Sequence, residues 1–148
     1  MSTNTILHTD KLTKYVNSGS AQLNILNGID LSVDEGESLA IIGRSGSGKT
    51  TLLSILAGLD LASTGQVMMM NKDLSALDED GRAAMRSEYV GFVFQSFQLV
   101  PTMTALENVM LPLDLNGVKE SRVRALQWLD KVGLANRSRH YPKQLSGG

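Results

Sequence analysis

Residues 38–59 read SLAIIGRSGSGKTTLLSILAGL, and this stretch decides the fold. Its first five residues (38–42, SLAII) are apolar apart from Ser38 and are bounded by turn residues. That pattern predicts a strand buried on both faces, as in a parallel sheet. Its last nine (51–59, TLLSILAGL) are apolar nearly all round, which predicts a buried helix ending near Gly58. Between them, Gly43-Arg44-Ser45-Gly46-Ser47-Gly48-Lys49-Thr50 matches G-x-x-x-x-G-K-[ST] at every fixed position. A strand, a glycine-rich loop and a helix in immediate succession point to an α/β fold.

The residue types in this loop suit an anion. Glycines allow backbone angles that side chains forbid and let the chain come close to a phosphate. Successive N–H groups then point inward as a nest, and the positive end of the helix dipole adds to the same place. Lys49 is expected to reach the β- and γ-phosphates of a nucleoside triphosphate, and the Thr50 hydroxyl to ligate Mg²⁺. Thr51 can place a second hydroxyl near the α-phosphate. A turn that merely joins strand to helix explains neither the full match nor its flanks.

Upstream, residues 6–12 begin a β segment, 17–21 (NSGSA) form a polar turn, and 23–31 alternate with Ile25, Ile29 and Leu31 inward. Asp34, Glu35 and Gly36 make another turn. Downstream, residues 66–70 read as a strand and 78–87 as a polar helix interrupted by Gly81. Residues 89–94 (YVGFVF) read as a second buried strand and 104–110 as a helix ending before Pro112. Residues 119–132 form a clearer helix with Val123, Leu126 and Leu129 on one face.

Bulk properties exclude several classes. The 148 residues suit one domain of ordinary size, with 42% hydrophobic and 20% charged residues. A net charge of −1, from 14 basic and 15 acidic residues, gives no nucleic-acid surface. The absence of cysteine excludes disulfides and thiolate metal sites. No apolar run approaches the roughly 20 residues of a membrane span, and residues 1–10 do not read as a signal peptide.

Two further motifs narrow the loop's meaning. Gln95 follows directly on the apolar run in FVFQSF (92–97), and the chain closes with Leu145-Ser146-Gly147-Gly148. The phosphate loop, this glutamine and LSGG, in that order, resemble the ATP-binding subunits of ABC transporters. The stretches LLSILAGLD (52–60) and VGFVFQSFQLVPTMTALENVMLP (90–112) resemble the subgroup of lipoprotein-release and macrolide-export ATPases. The similarity runs from about Ile6 to Gly148.

This resemblance implies an α/β phosphate-loop NTPase core of ABC type with an antiparallel β subdomain at its start. Residues 1–95 would form that β-rich part and the loop core, and 96–148 a helical subdomain. ATP and Mg²⁺ are the implied cofactors. Gln95 would help complete the Mg²⁺ and water site, and Tyr15 would stack on adenine. Leu145, Ser146, Gly147 and Gly148 would act in trans on the nucleotide of a second ATP-binding subunit. The other implied partner is an integral membrane permease, which places the protein on the cytoplasmic face of the membrane.

In this family a Walker B strand, a catalytic Glu and a switch His follow the signature, beyond residue 148. His8 and His140 stand in the wrong places for the switch. Two later strands also separate the loop strand from the strand before Gln95. Residues 1–148 alone are therefore expected to leave apolar strand faces exposed, to fold incompletely, and to lack hydrolysis. Two alternatives stay open: a nucleotide-binding module without catalysis, and another phosphate-loop enzyme such as a small-molecule kinase.

Overall fold

The computed structural model describes residues 4–19, 21–94 and 99–145. The chain divides into two compact units, Met1–Phe92 and Val93–Gly148, each with its own core.

The first unit is built on an antiparallel hairpin. Strand β1 (Thr5–Ser18) pairs with β2 (Ala21–Asp34), then with β3 (Thr64–Met69), which pairs with the short β4 (Lys72–Asp73). The sheet order is β2-β1-β3-β4. β1 continues well past Leu12, where the sequence pattern fades. It bends there: Lys11 has a φ of 44°, and its N–H donates to Asp30 Oδ1 at 2.7 Å. Thr9, fully buried, donates its hydroxyl to Ile29 O at 2.9 Å, so this buried polar side chain is satisfied.

Helix α1 (Lys49–Leu56) lies against this sheet. Its Leu52, Ile55 and Leu56 pack with Leu12, Leu26 and Val67 in one core. It stops at Gly58 as expected. Gly58, with a φ of 70°, donates its N–H to Ile55 O, and Leu59 donates to Ser54 O at 2.8 Å. This Schellman arrangement satisfies carbonyls that the last turn would leave open. Helix α2 (Glu79–Tyr89) is capped by Asp78, whose carboxylate accepts from Gly81 N–H at 2.8 Å. Gly81 is thus tolerated in the first turn, where it takes part in the cap.

Two expected strands are absent from the sheet. Residues 38–42 run without ladder pairing, with Ile42 91% exposed. Residues 90–94 lie outside the sheet as well, since α2 extends through Tyr89. The physical reason is that a strand buried on both faces needs neighbours on both edges. The described strands form the antiparallel sheet, and none of them supplies a parallel neighbour.

The second unit packs α3 (Ala105–Leu115) on α4 (Ser121–Lys131). Thr104 and Glu107 form a reciprocal capping box at the start of α3. The Asn108 side chain bonds both backbone groups of Val100, holding the approach to the helix. α3 runs through Pro112 instead of ending before it. The ring removes one N–H from the ladder, a cost offset by Met110 and Leu113 packing on the core. In α4 the buried face centres on Ala125 and Leu129, while Val123 and Leu126 are exposed. The pair one turn apart faces Ala105 and Leu106, where the small alanines let the helices approach closely. Among the described residues no helix is long and apolar enough to cross a membrane.

Candidate functional site

The phosphate loop wraps the N-terminus of α1 and opens onto a cavity of about 410 Å³ lined by residues 45–51, Leu23 and Ile25. Gly48 stands at the N-cap with φ 84° and provides no side chain to close the first turn. The leading N–H groups of α1 are thus left for an incoming acceptor, at the positive end of the helix dipole. A Cβ on Gly48 would sit 2.9 Å from Ile25 O and 3.0 Å from Leu26 Cδ2. Here the loop backbone rests directly on β2, which no other residue would allow.

Lys49 turns back over the loop. Its Nζ donates to Gly43 O at 2.8 Å and to Arg44 O at 2.7 Å. The ammonium charge is held at the loop's mouth with one N–H still to give. Thr50 is exposed, and its hydroxyl makes no hydrogen bond among the described residues. Arg44, Ser45, Gly46 and Ser47 form the exposed arch, closed by Ser47 N–H donating to Arg44 O at 3.2 Å.

These features fit a polyphosphate and its cation. The donors converge on one cavity, and the hydroxyl of Thr50 is available as one oxygen ligand. Among the described residues no cluster of three or more His, Asp or Glu could hold a metal ion.

The other expected site residues fall in three places. Leu145 packs on the core of the second unit, following the short turn Pro142–Gln144. Gln95, Ser146, Gly147 and Gly148 lie outside the described residues. Tyr15 lies on β1 and is not among the residues that line this cavity. Its cross-strand partner is Asn24, whereas Leu23 and Ile25, on either side of Asn24, are the residues at the cavity. Nothing local in the sequence ties Leu23 or Ile25 to a loop twenty residues away. Only the register of the hairpin does so.

Comparison with known proteins shows the family and the fold. The sequence profile of the ABC transporter family matches residues 26–148. The ABC transporter ATP-binding protein YbbA of Escherichia coli (strain K12) is 50% identical over 97% of this chain and 64% of its own length. The lipoprotein-releasing system ATP-binding protein LolD of Legionella pneumophila (strain Paris) is 44% identical over 97% and 64%. Among solved structures, a dimeric post-hydrolysis state of the ATP-binding cassette MJ0796 bound to ADP and Pi superposes with a TM-score of 0.85. It is 38% identical and covers 95% of this chain and 63% of that one. The chain thus spans somewhat under two thirds of the length of these relatives.

Proposed function

From its membership in the ABC transporter family of ATP-binding proteins, to which this chain belongs, we propose that residues 43–51 bind the phosphates of ATP. As in a transport ATPase, this binding would drive transport or substrate release at a membrane. The observation that carries the reading is the open N-terminus of α1 beneath the Lys49 ammonium, both facing one cavity.

Each residue has a task in this proposal. The backbone of Gly43, Arg44, Ser45, Gly46, Ser47 and Gly48 cradles the β-phosphate. Lys49 gives its remaining N–H to the β- and γ-phosphates. Thr50, with Gln95, would hold Mg²⁺, which supplies charge neutralisation on the phosphate oxygens when bound. Thr51 would meet the α-phosphate. Leu145, Ser146, Gly147 and Gly148 would meet the nucleotide of a second copy, with Ser146 at a helix start. The solved cassette of MJ0796 is dimeric, which supports this pairing of copies. A membrane-embedded permease is the second proposed partner, reached through the segment after Gln95 on the cytoplasmic side.

Titration with ATP tests the loop. Lys49→Ala is expected to weaken binding at least about tenfold, the loss of one charge-assisted hydrogen bond to phosphate. Equal affinity of the two proteins would remove Lys49 from the site.

A further inference from the structure

We propose that Met70 is a reversible oxidation site, where a hydroperoxide converts the thioether to a sulfoxide and so loosens the end of α2 from the sheet. The site lies apart from the phosphate loop and stands whether or not that loop binds a nucleotide.

The backbone holds Met70 at the tip of a hairpin. Met69 pairs with Lys72, so Met70 and Asn71 alone make the turn between β3 and β4. Their φ angles are 49° and 61°, the positive values that a two-residue type I′ turn requires of both. Asn takes this conformation readily, whereas a bulky side chain rarely does. Such a conformation persists where its surroundings over-determine it. Met70 N–H donates to Ile6 O at 2.9 Å, and β3 is laddered to β1 through Leu7 and Met69. The residue cannot shift into the core without breaking these bonds.

Access sets Met70 apart from the other described methionines. It is 39% exposed, whereas Met69 and Met85 are 8% and 3% exposed, and Met68, Met103 and Met110 are partly buried. Oxidation of sulfur side chains follows their exposure. The sulfur lone pair attacks one oxygen of the hydroperoxide, and the S–O bond forms as the O–O bond breaks. Sulfur gives up two electrons and the peroxide takes them. With hydrogen peroxide, the departing oxygen collects the proton and leaves as water. The return step uses thiols: two of them join as a disulfide, and the sulfoxide oxygen leaves as water.

The consequence runs through a cleft. Met70 lines a cavity of about 180 Å³ with Ile6, Leu7, Val33, Met69 and Tyr89. Tyr89 is the last residue of α2, and Ile6, Leu7, Val33 and Met69 lie on β1, β2 and β3. This is where the end of α2 meets the sheet. A sulfoxide is polar where the thioether is apolar, so it draws water to a cleft lined mostly by aliphatic residues.

Brief treatment with hydrogen peroxide, followed by peptide mapping in a mass spectrometer, tests the site. Met70 is expected to gain one oxygen at least about fivefold faster than Met68, Met69, Met85, Met103 or Met110, and in urea all six should react within about twofold of one another. After oxidation, hydrogen exchange in a peptide covering residues 83–90 should quicken about threefold or more, and it should recover when methionine sulfoxide reductases and a thiol are added. Met70→Leu has no sulfur at a similar volume, and should show neither the fast gain nor the change in exchange. Met70 reacting no faster than the other five would overturn the proposal. A preference that persists in urea would do the same, by placing it in the local sequence and not in the fold. So would unchanged exchange once Met70 is oxidised, or equally quickened exchange in peroxide-treated Met70→Leu.

Discussion

A single glycine shows how closely the first unit is fitted. Gly65 opens β3 with φ 86°, and a Cβ there would lie 2.5 Å from Lys11 O and 2.6 Å from Asp10 O. It packs against the bend that Lys11 makes in β1. Gly28 also has a positive φ, 59°, but a Cβ there would meet nothing within 4 Å. Gly28→Ala should therefore cost only the left-handed backbone penalty, about 1–2 kcal/mol. Gly65→Ala should cost about 2–3 kcal/mol more, because backbone must move to make room. Thermal melts of the two variants side by side check this, and equal losses would count against the close approach. At this scale the sequence was legible where chemistry is local. The motif spacing alone located Lys49, Thr50 and the glycines. Leu23 and Ile25 were not legible, because the register of the hairpin decides which residues of β2 reach the loop.

Between elements, α1 and β1 are tied by an ion pair. Lys14 holds Asp60 by hydrogen bond, and the Leu61 N–H helps, keeping the Asp60 carboxyl below the ordinary aspartate range. A carboxylate with a lowered folded pKa adds stability above its unfolded value, about 3.9. That contribution disappears as pH falls through the lower folded value. Melting temperature measured from neutral to acid pH should therefore fall less steeply below about pH 4 in Asp60→Asn than in the parent chain. A parallel acid limb in both would show the pair to be idle. Helices with end signals were easily read: Gly58 closes α1 and Asp78 opens α2. The strands expected over 38–42 and 89–94 failed for one reason. Hydrophobic runs record the burial a segment seeks, and a sheet partner must come from elsewhere in the chain.

For the whole molecule, two separate cores leave apolar side chains outside both. Leu39 and Ile42 are exposed in the first unit, Val93 and Phe94 in the second. Exposed apolar surface of this kind associates. The 148-residue chain is expected to bind a hydrophobic dye and to show an apparent mass that rises with concentration in light scattering. Cooperative two-state unfolding with strong near-UV circular dichroism and a constant monomer mass would contradict this. About a third of each relative's length lies outside the matched region, so the same surfaces have a natural candidate for their cover.

The two bonds from Lys49 to its own loop have a kinetic meaning. A free lysine side chain gives up about 1.5–2 kcal/mol of rotamer freedom when it is fixed. Here Gly43 and Arg44 have already fixed it, so that loss falls on folding and not on the arrival of a ligand. An incoming phosphate finds the ammonium in place and needs to recruit only its third N–H. Association should then be ungated, and changes along the loop should appear chiefly in how long the ligand stays.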